Sequence, residues 1–223
     1  MERWETVDIG IIGGTGPAGR GLALRLAAAG MSVGIGSRDA SRAQEVVAGM
    51  VETWGSRLKG SITGGANEQV AAAGMVVLAT PWEAAVTTVR ALEPALRAKV
   101  LVSMVNALVR EGREMLPLVP ARGSIATAVQ AAVPGTAVAA AFQHLPAREM
   151  GDLDAGIVAD VLVCADDPSA TAATMSLVER IEGLRPLDAG GLSQALAIEA
   201  FTAVLATLNI RHRAHSTLKL AGI

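Results

Sequence analysis

The chain has 223 residues, 51% of them apolar, 18% charged and only 2% aromatic, with a net charge of -2. That length suits one large domain, or a nucleotide-binding domain with a smaller companion. The slight negative charge without a basic run argues against nucleic acid as a partner, and so few aromatic side chains leave no platform for stacked bases.

The first residues include Glu2, Arg3, Glu5 and Asp8 and lead straight into a strand, which is not the pattern of a signal peptide. A soluble, cytoplasmic protein is expected. Residues 7–12 form a short apolar run that predicts a central parallel strand. Gly13-Gly-Thr-Gly-Pro-Ala-Gly19 follows, and then an Ala- and Leu-rich helix that stops at Gly30. Strand, glycine turn and helix open a dinucleotide-binding βαβ unit. Gly14 is expected to take the tight turn, and Gly16 to let backbone approach a pyrophosphate. Gly19 and Gly21 would allow close packing of the helix. Thr15, Pro17 and Ala18 complete the turn, with Pro17 suited to the first helical position. The phosphate would sit over the helix N-terminus. The alternative is a glycine-rich turn that binds nothing.

Residues 32–36 are the second strand, ending at Gly36-Ser37-Arg38. An NAD site usually places a carboxylate here for the ribose hydroxyls. Ser37 and Arg38 suit instead the 2′-phosphate of NADP, with Arg42 one helical turn further on. Both arginines are otherwise solvated surface charges. Asp39 reads as the start of the next helix, residues 40–54. A short third strand at 61–63, a helix at 67–73 capped by Asn67, and a fourth strand at 75–79 follow. Thr80, Pro81 and Trp82 then stand at a strand end, where ligands bind in open α/β sheets. Trp82 either shields the ribose or nicotinamide or anchors the next helix.

A helix over 83–97 is interrupted by Pro94, and 100–103 is the fifth strand. Residues 104–120 read as irregular. A helix over 124–133 and a strand over 137–142 lead to the turn Gln143-His-Leu-Pro146. The uncharged stretch 123–147 is broken by Pro134-Gly135 and is rejected as a membrane span. Beyond it come a strand at 160–164, a helix at 169–181, an extended segment at 183–187 and a long apolar helix at 191–209 with Glu199 near its middle. Charges are sparse along that last helix, so a second subunit or substrate is expected to cover it. Cys164, the single cysteine, reads as a buried strand residue, and with no second thiol no metal site is expected. The fold class is α/β: a Rossmann-like, doubly wound parallel sheet. Residues 1–143 are the nucleotide domain and 144–223 a smaller part completing the acceptor cleft.

The glycine turn with Gly36-Ser-Arg38 resembles NADPH-dependent reductases of the deazaflavin coenzyme F420. The likeness runs on through Ala79-Thr-Pro-Trp-Glu83, Ala141-Phe-Gln-His-Leu-Pro-Ala147, Val163-Cys-Ala-Asp-Asp167 and, most specifically, Gly183-Leu-Arg-Pro-Leu-Asp-Ala-Gly190. The resemblance implies hydride transfer between NADP(H) and F420 in a homodimer. It implies NADP contacts from Thr15, Gly16, Pro17, Ala18, Ser37, Arg38 and Arg42. Thr80, Trp82 and Ala147 would lie nearer the nicotinamide, and Thr202 and Leu218 on the deazaflavin side. The chain departs from the pattern in three places. Leu196 stands where an arginine is usual and Ala200 where a serine is common. Gln143 occupies a usual histidine place, with His144 beside it. All three fall on the acceptor side. His144 either relays the proton that the deazaflavin gains or loses, or satisfies turn backbone. A flavin or ferric-chelate reductase and a non-catalytic NADPH sensor remain as alternatives. A hydroxyacid dehydrogenase would need a catalytic lysine, and lysines occur only at 59, 99 and 219.

Overall fold

Apolar strand runs alternate with helical periods through most of the chain, and the resulting fold is a central sheet covered on both faces. The structure is a computed structural model that describes residues 2–223. In chain order come α1 (Glu2–Glu5), β1 (Ile9–Ile12), α2 (Pro17–Ala28), β2 (Ser32–Ser37) and α3 (Ala40–Trp54). Next are β3 (Ser61–Ala66), α4 (Asn67–Val70), β4 (Met75–Leu78), α5 (Trp82–Ala91), α6 (Glu93–Leu96) and β5 (Val100–Ser103). A hairpin of β6 (Leu108–Glu111) and β7 (Glu114–Pro117) precedes α7 (Ile125–Ala132) and β8 (Ala137–Ala140). The chain ends with α8 (Ala147–Met150), β9 (Ala159–Ala165), α9 (Pro168–Glu179), β10 (Leu184–Asp188) and α10 (Ala195–His212).

The eight-stranded sheet has the order β10-β9-β8-β5-β4-β1-β2-β3. From β3 to β8 every pairing is parallel, in the doubly wound order that binds dinucleotides at its switch point. β9 joins β8 antiparallel, and β10 runs parallel to β9. Side chains alternate between the faces of each strand. Ile9, Ile11, Val77 and Val102 pack with Leu22, Leu26, Met50 and Leu177 on one face. Val76, Leu78 and Leu101 pack with Val89, Val129 and Ile198 on the other. With so few aromatics, the core is built from aliphatic and alanine contacts. Where α2 presses on its own turn and on α8, only glycine fits: a Cβ on Gly19 would stand 2.7 Å from Gly14 Cα, and one on Gly21 2.7 Å from Met150 Cβ.

Three expectations change. The stretch 104–120 is not irregular: it holds the β6–β7 hairpin, turned by Gly112 at φ 57°. Its alternation is weak because the hairpin leans on α10, where Met115 N–H donates to Thr207 Oγ1 at 2.8 Å. Asn67 is not a cap but the first residue of α4. Gly13, not Gly14, takes the left-handed turn, with φ 69°.

Candidate functional site

The carboxyl ends of β1, β2 and β4 open onto a cleft of about 560 Å³. Gly13 must be glycine twice over. Its φ is left-handed, and a Cβ there would stand 2.6 Å from Thr80 Cγ2. Gly14 N–H donates to Gly36 O at 2.9 Å, which locks the turn onto β2. Asn67 Oδ1 accepts from Gly13 N–H at 3.0 Å and holds the turn from the other side. The turn delivers Gly16 as N-cap of α2, with Pro17 at the first helical position, no side-chain cap and no acid in the first turn. Helix N–H groups are therefore left facing the cleft, and the helix dipole adds to their positive potential. A Cβ on Gly16 would meet nothing within 4 Å, so a ligand can approach the backbone there.

Of the sequence candidates, Thr15, Gly16, Pro17, Ala18, Gly19, Ser37, Arg38, Arg42, Thr80 and Pro81 all line this cleft. Gly14 sits behind the turn. The Arg38 and Arg42 side chains are exposed and make no hydrogen bond or ion pair among the described residues. Asp39, by contrast, is engaged: it caps α3 by accepting from Ser41 N–H at 2.9 Å. The one carboxylate of that loop is engaged in the cap through Oδ1, while two guanidiniums are free for a phosphate. Ser37 is 8% exposed and its hydroxyl oxygen accepts from Asp39 N–H at 3.2 Å, leaving its own proton to donate. Trp82 opens α5 and packs partly buried against the core, outside the cleft lining. Ala147, the first residue of α8, lines a neighbouring groove together with Pro17.

At the carboxyl ends of β4, β5 and β8, three adjacent strands, buried polar atoms lack any partner among the described residues. They are Thr80 Oγ1, Ser103 Oγ, Asn106 Oδ1, both amide atoms of Gln143 and His144 Nδ1. A polar group buried without a partner is costly, so a cluster of them beside a cleft marks where a polar ligand completes the set. Phe142 precedes Gln143 with φ 69° while 1% exposed, a strained conformation for a bulky residue. That bend turns both Gln143 and His144 inward. Asn106 Nδ2 donates to Gln143 O at 2.8 Å and fixes the bend.

His144 is 4% exposed, and its Nε2 lies 2.9 Å from Asp160 O. A carbonyl only accepts, so Nε2 carries the proton and Nδ1 presents a lone pair. Burial pushes the imidazole pKa below its usual value, against the opposing pull of that carbonyl, so the ring is neutral. The Asp160 carboxylate, fully buried at the start of β9, is held by Arg185 (Nε at 2.8 Å, Nη2 at 2.6 Å), Lys219 Nζ at 2.7 Å and Leu220 N–H at 2.6 Å. The Arg185 hydrogen bonds outweigh burial and hold that carboxyl well below the usual range. Asp160 N–H donates to Leu218 O at 2.8 Å, so the same residue fixes the C-terminal tail and His144. Leu196 and Thr202 lie half-buried on α10, where the Thr202 hydroxyl donates back to Ile198 O at 3.2 Å. Glu199, 4% exposed, accepts from Ile125 N–H at 2.9 Å and Ala126 N–H at 3.1 Å, which ties α10 to the start of α7.

No lysine lines the cleft. Lys99 is occupied by Ala71 O and Ala73 O, each at 2.8 Å, and Lys219 by Asp160.

The family model described as NADP oxidoreductase, coenzyme F420-dependent, matches residues 8–107. An F420-dependent NADP reductase of Methanocaldococcus jannaschii is 35% identical over 215 residues, which is 95% of this chain and 96% of that protein. This chain belongs to that family. A relative of the same description from Methanothermobacter thermautotrophicus is also 35% identical, over 93% of this chain and 91% of its own. The crystal structure of a candidate F420-dependent NADP reductase from Arthrobacter sp. FB24 superposes with a TM-score of 0.78 at 25% identity, covering 96% of this chain and 99% of that one.

Asn67 was expected only as a helix cap, and Ser103 and Asn106 carried no expected role. Ser103 ends an apolar strand and Asn106 stands three residues beyond it. A polar residue closing a buried strand at the ligand edge was the available signal.

Proposed function

We propose that this chain transfers hydride between NADPH and the deazaflavin coenzyme F420. The observation that carries the reading is the uncapped N-terminus of α2 flanked by two unpaired guanidiniums, in a chain of this family. When bound, NADPH supplies a hydride from nicotinamide C4 and the deazaflavin ring receives it at C5. The N–H groups of α2 hold the pyrophosphate. Ser37, Arg38 and Arg42 hold the 2′-phosphate. Thr80 and Pro81 border the ribose and nicotinamide, Trp82 anchors α5 behind them, and Ala147 closes the far end. Ser103, Asn106 and Gln143 supply hydrogen bonds to the rings and keep water from the transfer site. His144 offers Nδ1 to the proton that leaves the reduced deazaflavin. Leu196, Thr202 and Leu218 give the acceptor an apolar wall.

We assign residues 1–143 to the nucleotide side and 144–223 to the acceptor side of one cleft. The protein works in the cytoplasm as a homodimer through α10. Phe201, Val204 and Leu208 are exposed there at 38%, 50% and 41%, one stripe of the helix. The span Leu192–His212 is long and apolar enough to cross a membrane, with a mean hydropathy of 1.3. A second copy of the chain covering that stripe accounts for its composition.

The departures at Gln143, Leu196 and Ala200 favour one second reading, in which another acceptor, a flavin or a ferric chelate, replaces the deazaflavin. Turnover of NADPH with F420, free flavin and ferric chelate in parallel separates the readings. Reduction of F420 alone is expected. Reduction of flavin or iron without F420 overturns the acceptor, and binding of NADPH with no turnover at all marks a sensor.

A further inference from the structure

Beside the cofactor cleft, α2, α3 and α8 enclose a second groove of about 380 Å³, of which the cofactor takes only Pro17 and Ala147. Its floor is apolar, built from Leu24, Met50 and Trp54. Arg20 and Arg148 stand on it, both exposed and with guanidiniums that make no hydrogen bond or ion pair among the described residues. No acidic side chain lines it. The nearest acid on α8, Glu149, is paired with His215 at 2.9 Å. Pro17 lines both groove and cleft, so one opens off the other at the helix start that cradles the pyrophosphate. Arg38 and Arg42 belong to the cleft and do not reach the groove.

Gly49 gives an independent sign. It lies in the middle of α3, where glycine is a poor helix former. Gly21 in α2 is explained by Met150 pressed against it, but a Cβ on Gly49 would meet nothing within 4 Å. No contact within the chain accounts for that glycine. It lines the groove, and any larger side chain there would narrow it.

An apolar floor with two free guanidiniums suits an elongated molecule that alternates anionic groups with short hydrocarbon segments. Resting on the deazaflavin reading, we propose that this groove binds the acceptor's anionic side chain, the phosphodiester and glutamyl carboxylates carried beyond the F420 ring. Arg20 and Arg148 pair with those anions, and the apolar floor takes the methylene segments between them.

The test compares complete F420 with a truncated deazaflavin that keeps the ring and ribityl chain but lacks phosphate and glutamates, both with NADPH. The double variant Arg20→Ala/Arg148→Ala is expected to raise KM for complete F420 about tenfold or more, the loss of at least one charge-assisted bond. KM for the truncated acceptor and for NADPH should stay within about twofold, the spread of ordinary surface substitutions. Gly49→Leu, which fills the groove without removing charge, should show the same selective loss in a protein whose circular dichroism matches the wild type. If the wild type has equal kcat/KM for both acceptors, or the double variant weakens both equally, the subsite is wrong while hydride transfer stands. A rise in NADPH KM instead would assign Arg20 to the cofactor and also overturn it. Failure of the wild type to reduce either deazaflavin removes the function reading together with the subsite.

Discussion

We propose that Arg38 decides which nicotinamide cofactor this site accepts. NADPH and NADH differ only in the 2′-phosphate, and Arg38 has nothing else to bind. Arg38→Ala should weaken NADPH binding about tenfold or more and leave NADH nearly unchanged. Added salt should erode the wild-type preference, because the guanidinium is exposed. Titration of both cofactors against both proteins checks this; equal losses would mean that Arg38 serves the turn alone. Cys164 tests the other extreme of exposure. Burial, with Glu199 and Asp166 adding to it, pushes its thiol up to about 12. It should resist alkylation at neutral pH until the protein is unfolded, and fast labelling of the native protein would contradict its placement. The places of both residues, one lining the cleft and one buried, were legible in the sequence, since an arginine following β2 and a cysteine inside an apolar run are local signals. Gly13 was not, because which glycine of the turn goes left-handed depends on Thr80 against it.

Elements are held to one another by buried polar groups that join distant stretches, and those links were not legible. Asn67 reaches Gly13 across 54 residues, and Met115 reaches Thr207 across 92. No local period announces such a contact. Glu199 is the clearest case. Burial raises its pKa despite two backbone donors, so its charge is costly while its acceptor oxygens are needed. Glu199→Ala should lower stability by roughly 1–3 kcal/mol by orphaning Ile125 and Ala126 N–H. Glu199→Gln keeps an acceptor for only one of the two N–H groups and sets its own NH2 against the other, so it should recover only part of that loss in a urea melt. Its removal of a raised carboxyl also removes a loss of stability that develops as pH rises above about 4.5, the ordinary glutamate value. Equal effects of the two variants would show that the hydrogen bonds do not hold α10. His144 works in the opposite direction. Its folded pKa lies below 6.5, so the unfolded chain binds the extra proton first. Its contribution to stability is complete above that value and is lost as pH falls through it. The rate of oxidation of reduced F420 should likewise stay level through pH 6.5 and fall only further below, whereas a break at 6.5 itself would point to a solvated histidine.

At the scale of the whole molecule, the doubly wound sheet was legible because its central strands, buried on both faces, read as continuous apolar runs between helical periods. Residues 40–54 and 100–103 match α3 and β5 to the residue. The turn of direction at β9 and the β6–β7 hairpin were not, since each is fixed by its neighbour in space: β8 for one, α10 for the other. The stripe Phe201, Val204 and Leu208 should hold two copies together. Val204→Glu is expected to convert a dimer to a monomer in sedimentation, and a wild-type monomer would contradict that face. The most direct test of the central claim follows the hydride itself. NADPH carrying deuterium at nicotinamide C4, tested on each face in turn, is mixed with F420 and excess protein for a single turnover in ordinary water. Direct transfer in a site that excludes water places the deuterium of one face on C5 of the deazaflavin without dilution. Deuterium lost to solvent, or retained on the nicotinamide from both faces, would contradict it.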